Sequence, residues 1–132
     1  MNTTTTPGIQ NIGQISIVVQ DPERATAFYR DVLGLRLLFT FPGLAFFDCG
    51  GVRLMLSRPE SPEFDHRSSI VYFRVPDINA GYQRLAERNV QFLNPPKLIA
   101  PMGTYDLWMT AFRDSEGNVH QLMSEVPTAT NG

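Results

Sequence analysis

The sequence predicts an α+β domain in which a strand–helix–three-strand unit, βαβββ, occurs twice. The segment IGQISIVVQD at 12–21 has the same alternation of apolar side chains as RSSIVYFRVPD at 67–77. Further along, AFFDCGGVRLML at 45–56 shares its Ala, Phe, Asp, Gly and Leu positions with AFRDSEGNVHQL at 111–122. Self-similarity over such long segments indicates an internal duplication.

The first unit reads as strand, helix and three strands. Asp21 is a suitable N-cap and Pro22 a suitable first helical residue, and Gly34 ends the predicted helix. An apolar stripe at helical spacing lies between them, formed by Ala25, Phe28, Tyr29, Val32 and Leu33. Strands are predicted at 15–19, 36–41, 44–48 and 52–57, with a turn at DCGG between the last two.

The second unit follows the same order. Asp77 is its predicted N-cap and Asn89 its helix end, with Ile78, Tyr82, Leu85 and Ala86 as the apolar stripe. Strands are predicted at 71–75, 91–94, 107–113 and 119–125, and DSEGN forms the last turn. The proline-rich segment NPPKLIAPMGT at 94–104 is read as a long loop.

Together the two units predict one domain at 9–126, with modules at about 9–60 and 67–126 and flexible tails at 1–8 and 127–132. The sheet is expected to be curved and mostly antiparallel, with the helices on one face. The other face is then concave, where a ligand would bind.

Composition and charge limit the function classes. The net charge is −2, the pI is near 5.6 and no lysine or arginine run occurs, so a nucleic-acid partner is not expected. No apolar run approaches the ~20 residues of a membrane span, and the amino terminus lacks the pattern of a secretory signal. Cys49 is the only cysteine, which excludes an intramolecular disulfide and favours a cytoplasmic location.

The segment IGQISIVVQDPERATAFYRDVLGL, followed by AFFDCGGVRLML, resembles the vicinal oxygen chelate superfamily. This group contains glyoxalase I, bleomycin-resistance proteins and extradiol dioxygenases, and is built from paired βαβββ modules. The resemblance covers the pattern D-x-x-x-A-x-x-F-Y-x-x-x-L-G in the first helix and D-x-x-G-N in the last turn. It implies the fold and a homodimer, for which outward rings among Phe39, Phe41, Phe46 and Phe47 would suit an interface. It does not decide the function, because one scaffold serves many chemistries.

The resemblance also implies where a metal would bind. Metal enzymes of the family place His or Gln, Glu or His, His, and Glu at positions that correspond here to Gln14, Met55, Ile70 and Gln121. Only Gln14 suits such a site, because divalent cations favour carboxylate and imidazole ligands. We therefore expect no metal and no cofactor at the family position.

Strand alternation then predicts the lining of the concave face. The candidate ligand pocket consists of Gln14, Ser16, Arg53, Met55, Ile70, Tyr72, Arg74, Trp108, Gln121 and Met123, although the side taken by Trp108 is left open. Such a lining suits a small, partly apolar or aromatic molecule whose anionic group pairs with Arg53 or Arg74. Simpler readings stay open: the arginines are solvated, Tyr72 and Trp108 belong to the core or an interface, or the two glutamines bond each other.

The remaining reactive side chains give weaker signals. His120 alternates with Gln121 and should face the helices as a structural residue. His66 lies in the acidic loop PEFDHR and is read as a surface residue, and Cys49 in its turn lacks a partner base.

Three functions remain. The first is metal-free binding of a small molecule. The second is a metal-independent enzyme, a lyase, isomerase or related type, that stabilises an oxyanion with Arg, Gln and Tyr side chains. The third is a metal lyase or dioxygenase with displaced ligands. The inferred concave positions carry no carboxylate or histidine, which favours binding over catalysis.

Overall fold

The computed structural model describes residues 6–128 and contains two four-stranded sheets, each crossed by one helix. The first module comprises β1 (Gln14–Val18), α1 (Pro22–Ala27), β2 (Arg36–Phe41), β3 (Leu44–Cys49) and β4 (Val52–Ser57). The second comprises β5 (Tyr72–Arg74), α2 (Ile78–Glu87), β6 (Lys97–Pro101), β7 (Tyr105–Arg113) and β8 (Val119–Pro127). The strand orders are β1-β4-β3-β2 and β5-β8-β7-β6. The paired βαβββ architecture is confirmed.

Each sheet is mixed in the same way. The first strand of each module runs parallel to the last, and the other neighbours are antiparallel. A parallel pair needs a long crossover, which α1 and the β2–β3 hairpin supply in the first module. The repeated topology explains why the two halves share their turn residues.

Both helices begin as the sequence predicts. The Asp21 carboxylate accepts a hydrogen bond from the backbone N–H of Arg24, and that of Asp77 accepts from Asn79 and Ala80. The first helix continues beyond Ala27 as a π-helical turn, Phe28–Val32. Gly34 (φ 76°) and Asn89 (φ 65°) follow the helices in the left-handed conformation that ends them.

The proline-rich segment at 94–104 was wrongly predicted as a loop. It contains β6, which pairs with β7, whereas the predicted strand at 91–94 forms only an isolated bridge between Phe92 and Phe112. β6 is the edge strand, so Pro101 at its end need not donate to a neighbour. The backbone order also runs past the predicted boundary at Val126: β8 includes Pro127, and the N–H of Thr128 donates to the carbonyl of Thr104. Residues 1–5 and 129–132 of the predicted tails lie outside the described residues.

Apolar residues on the helix-covered faces form two core clusters. Tyr29 of the π-helical turn packs with Ile17, Val19, Phe47, Leu54 and Leu56 of the first sheet. Ile78 and Leu85 of α2 pack with Phe112 and Leu122 of the second sheet. The predicted alternation of the first strands is confirmed, because Ile15, Val71 and Phe73 all pack against the first cluster. Phe47 is fully buried there and cannot belong to the outward aromatic set in which it was placed.

The β7–β8 turn joins the second module to α1. The Glu116 carboxylate accepts hydrogen bonds from the backbone N–H groups of Gln20 and Asp21 and pairs with Arg24 at 2.7 Å. The side-chain amide of Asn118 donates to the carbonyl of Val18. An acidic side chain at a helix N-terminus also interacts favourably with the helix dipole. The DSEGN turn therefore holds the two modules together.

A short 3₁₀ turn, Pro62–Phe64, lies in the segment that connects the modules. Among residues 6–128, no helix is both long and apolar enough to cross a membrane.

Candidate functional site

The concave face of the first sheet carries a row of soft and aromatic side chains. Ser16, Met55, Phe46 and Phe39 lie side by side across its four strands, as the strand register requires. The rings of Phe39 and Phe46 have centroids 4.7 Å apart. Phe46 was missed as a concave residue because the alternation was followed from the first and last strands of each module, and Phe46 was placed among the outward rings of a dimer interface.

Arg53 lies on the same face, near the end of the sheet that carries the β3–β4 turn. Its Nε donates to the Gln14 side-chain oxygen at 2.7 Å, and its guanidinium carbon lies 5.4 Å from the centroid of the Phe46 ring. The Gln14 amide nitrogen in turn lies 3.7 Å from the Met55 sulfur. Asp48 is opposite Arg53 in the register, but its carboxylate accepts from the Gly51 N–H. No carboxylate of the described residues pairs with Arg53.

The side chains at the family metal positions do not fit a divalent cation. The one good donor, the Gln14 oxygen, already accepts from a permanently charged guanidinium. A cation bound there would sit against that positive charge, and Met55 offers only a thioether. Among residues 6–128, no group of three His, Cys, Asp or Glu side chains is arranged to hold a metal ion. A hydrogen bond between the side chains of Gln14 and Gln121 is likewise not formed among residues 6–128.

The concave face of the second sheet carries the other predicted residues. Tyr72 lies beside Gln121, and Arg74 beside Met123. Arg74 differs from Arg53 because it contacts an acid, with its Nη2 3.4 Å from Glu125. Ile70 and Tyr72 are about half exposed. The face continues onto β7 with Met109 and Ala111, opposite Met123 and Gln121, which the sequence analysis did not include.

Trp108 does not belong to this face. It pairs with the buried Ser124 across β7 and β8 and packs against the second core cluster, on the helix side. Its placement in the ligand pocket was therefore wrong. The residues around it could not settle its side, because the register of a long strand depends on pairing that local sequence does not reveal.

The segment between the modules adds a wall that sequence reasoning missed. A cavity of about 250 Å³ lies over Ser16 and Met55 and is bounded by Phe64, His66 and Ser68. Ser68 is held there by the Val18 N–H, which donates to its hydroxyl at 2.8 Å. Ile70 lines a separate and larger cavity of about 510 Å³ beside Val119. The predicted set is therefore divided between two sheets rather than gathered in one pocket.

The three buried polar residues behind the concave face are structural. The Tyr29 hydroxyl lies 2.6 Å from Asp114 Oδ2 and 2.7 Å from His120 Nε2. A hydroxyl has one proton, so it donates to the carboxylate and accepts from the imidazole N–H. This leaves Nδ1 of His120 as an acceptor without a partner among the described residues. The prediction that His120 faces the helices is confirmed.

The pKa values in this network follow from its geometry. Burial raises the pKa of Asp114, but the His120 imidazole 3.7 Å away and the hydrogen bonds from Tyr29 and Asn118 outweigh it, so the net pKa is lowered. Burial and the Asp114 charge raise the pKa of Tyr29. Burial and the nearby Asp48 also raise the pKa of the Cys49 thiol, which makes it a poor nucleophile, as expected.

Comparisons with known proteins agree with this fold. The chain is similar to a crystal structure of a glyoxalase/bleomycin resistance protein/dioxygenase superfamily member from Sphaerobacter thermophilus, with 27% identity, TM-score 0.74, and coverage of 89% of this chain and 98% of that one. A glyoxalase/bleomycin resistance protein/dioxygenase from Nocardioides shows 23% identity, TM-score 0.72 and coverage of 96% and 91%. A lactoylglutathione lyase from Agrobacterium tumefaciens shows 22% identity and a TM-score of 0.67, with coverage of 89% of this chain and 95% of that one.

None of the curated proteins compared with the chain matches it. The family profile described as Glyoxalase/Bleomycin resistance protein/Dioxygenase superfamily matches residues 11–129, which is nearly the whole sequence. The chain therefore belongs to the glyoxalase/bleomycin resistance protein/dioxygenase superfamily.

Proposed function

We propose that this protein binds a small, partly aromatic anion on the concave face of its first sheet, without a metal. The observation that carries the proposal is the place of Arg53. Its Nε donates at 2.7 Å to Gln14, one of the positions at which the resemblance implies a metal ligand. A fixed positive charge there can bind the carboxylate or other anionic group that a metal would otherwise coordinate.

Arg53 is a better anion site than Arg74. The terminal nitrogens of Arg53 make no hydrogen bond with the described residues, while Arg74 contacts Glu125 at 3.4 Å. An anion approaching Arg74 would have to compete with that carboxylate. An anion approaching Arg53 meets a guanidinium whose Nε is already oriented, so little conformational entropy is lost on binding.

The neighbouring side chains supply contacts for an apolar body. Phe46 lies beneath the guanidinium, Met55 is paired with Phe46, and Phe39 extends the surface. Aromatic rings and thioethers both contact ligand rings favourably. The cavity over Ser16 and Met55, which Arg53 and Phe46 do not line, adjoins this surface through Met55 and gives a ring a partly enclosed space of about 250 Å³. This is slightly below the ~300–1,000 Å³ usual for small-molecule sites, which favours a single-ring ligand.

The test compares charged and neutral ligands of the same shape. Benzoate, phenylacetate and hydroxybenzoates are titrated by calorimetry beside their primary amides. We expect the carboxylates to bind more tightly, and Arg53→Gln to abolish that preference by removing a charge-assisted hydrogen bond, with a loss of about tenfold or more. Arg74→Gln should have a smaller effect, and Arg30→Gln in the π-helical turn after α1 is the matched control. Equal affinity of acids and amides, or an unchanged Arg53→Gln variant, would contradict the proposal.

A metal titration tests the part of the proposal that excludes a metal. Zn²⁺, Ni²⁺, Fe²⁺ and Mn²⁺ added to the purified protein should leave the thermal midpoint unchanged, because Gln14 is engaged and Met55 is a weak donor. One equivalent of bound metal that Gln14→Ala removes would overturn the metal-free reading.

We also propose that the protein forms a homodimer in a reducing, cytoplasmic setting. Phe39 and Phe41 are 43% and 57% exposed and lie 5.5 Å apart, which makes an apolar surface suitable for a second copy. Light scattering should give twice the chain mass for the native protein and the single chain mass for Phe41→Asp. A native monomer would exclude this arrangement.

A further inference from the structure

A second cavity lies where the two modules meet, between the end of the first helix and α2. This inter-module cavity has a volume of about 260 Å³. Its walls are mainly apolar, with Leu35 and Cys49 from the first module facing Phe73, Leu85 and Leu122 from the second. It shares no residue with the cavity over Ser16 and Met55. It therefore has to be explained separately from the concave face.

The charged residues that line the inter-module cavity are all arginines. Arg74, Arg84 and Arg88 belong to its lining, and none of the described lining residues is acidic. Arg88 is held in place, because it donates to the Val32 carbonyl at 2.7 Å. Arg84 makes no side-chain hydrogen bond or ion pair with residues 6–128. Because Arg74 contacts Glu125 at 3.4 Å, the unpaired positive charge at the cavity comes from Arg84 and Arg88, and it favours an anionic ligand.

Gly81 gives an independent reason to regard the cavity as a site. It lies inside α2, where glycine is less favourable than alanine, and it lines the cavity. A Cβ added at Gly81 would lie 3.5 Å from Leu122 and 3.6 Å from Val75, which is ordinary contact. Packing therefore does not require a glycine. What an alanine would change is the cavity itself, because its methyl group would occupy space between those two lining residues.

We propose that the inter-module cavity binds a small aliphatic monocarboxylate, with its chain between the modules and its carboxylate at Arg84. The apolar walls cover the hydrocarbon, and a guanidinium at the mouth pairs with the carboxylate. Such a ligand contacts both modules at once, so it stabilises their packing against each other. The proposal goes beyond the concave-face function and does not depend on it.

The rate at which Cys49 is labelled can measure ligand binding in the inter-module cavity. It lines the cavity, and it is the only cysteine in the chain, so a thiol reagent reports on this place alone. Hexanoate, octanoate and decanoate are added while the labelling rate of Cys49 is followed at mildly alkaline pH. We expect protection that strengthens by about fourfold for each added methylene until the cavity is filled. Octanol tests the role of charge and should protect less than octanoate.

Two variants connect the protection to the site. Gly81→Ala should raise the thermal midpoint through helix propensity and weaken octanoate protection by about fourfold or more, because it removes space for one methylene. Ala80→Gly is the matched control: it lies on the exposed side of α2 and should lower the midpoint while octanoate binds as before. Arg84→Gln should remove the advantage of octanoate over octanol, and Arg30→Gln should not.

The outcomes separate the proposals. Unchanged labelling at every chain length, or equal protection by octanoate in Gly81→Ala and in the native protein, overturns the inter-module site. Protection without ligand that rises with protein concentration would mean that a second copy covers the cavity, and also overturns it. Arg53→Gln should leave octanoate protection unchanged, so failure here and failure on the concave face are distinguishable.

Discussion

Replacing Tyr29 by phenylalanine should be among the most destabilising single changes in this protein. Among residues 6–128, the Tyr29 hydroxyl alone connects Asp114 and His120 at hydrogen-bond distance, 2.6 and 2.7 Å away. All three side chains are buried, with exposed fractions of 0%, 6% and 0%. Water therefore cannot replace the lost hydroxyl, and the groups that it satisfied must stay in the interior without it.

The magnitude follows from what each partner retains. Asp114 keeps hydrogen bonds from the Asn118 amide and from the backbone N–H groups of Glu116 and Asn118. His120 keeps none, because its Nδ1 already lacks a partner among the described residues. One hydrogen bond to a carboxylate contributes about 1.5–3 kcal/mol, and an unsatisfied buried donor costs about 1–3 kcal/mol. Since Asp114 compensates in part, we expect a loss of about 2–4 kcal/mol.

Urea denaturation followed by tryptophan fluorescence measures this loss. Tyr82→Phe is the matched control, because Tyr82 is half-buried against Phe92, at 4.4 Å between ring centroids, and its hydroxyl bonds to none of residues 6–128. That variant should change the free energy of unfolding by less than about 0.5 kcal/mol. The reasoning is refuted if the two variants differ by less than about 1 kcal/mol with equal m-values.

The remaining predictions concern the turn that joins the modules and the end of the first helix. Burial raises the pKa of Glu116, but the Arg24 guanidinium and the N–H groups of Asp21 and Gln20 lower it by a larger amount. The net pKa of Glu116 therefore lies below the usual range. A lowered folded-state pKa stabilises the protein fully above the unfolded value of about 4.3, and the contribution is lost as the pH falls through the folded value. Glu116→Gln should therefore destabilise at neutral pH and converge with the native protein in acid; parallel pH profiles would contradict this. Gly34→Ala should cost about 1 kcal/mol, since φ is 76° and an added Cβ meets no atom within 4 Å, leaving only backbone strain; an unchanged urea midpoint would show that the helix end adjusts.

The sequence predicted the modules well because their signals are local. Asp21 and Asp77 lie beside the helices that they cap, and alternation placed Phe73 on the helix side correctly. The errors concern pairing between distant segments. β6 was missed because prolines around a short apolar run fit either a loop or an edge strand, and the sequence does not show that this strand is an edge. The side of the sheet on which Trp108 lies could not be predicted, because it depends on the register with β8.

The candidate site was also predicted only where its signals are local. The contact between Gln14 and Arg53 joins neighbours on paired strands, and both were in the predicted set. The wall made by Phe64 and His66 comes from the connecting segment, whose course has no periodic signal. The role of the last turn was also hidden, because Glu116 acts on α1, more than ninety residues away along the chain. Duplication signals reveal what the halves share and not how they dock.

The hydrogen-bonded group of Tyr29, Asp114 and His120 has no full counterpart at the equivalent positions of the two halves, and this leads to a final prediction. In the alignment of the two halves, Tyr29 corresponds to Leu85 and His120 to Leu54, and both leucines are buried. The equivalent position in the first module thus accepts a leucine against the same kind of sheet. His120→Leu removes the unpartnered Nδ1 together with the ring and keeps a similar volume, while the Tyr29 hydroxyl still donates to Asp114.

We therefore expect His120→Leu to cost less than about 1.5 kcal/mol, well below the loss for Tyr29→Phe, because removing a buried polar group costs less than leaving its partner unsatisfied. Urea denaturation of the single variants and of the double variant measures both losses and their coupling. Equal losses in the two single variants would contradict this, because the imidazole would then contribute as much as the hydroxyl. The prediction thus tests whether the second module docks through the tyrosine–carboxylate bond, with the histidine as an accepted neighbour.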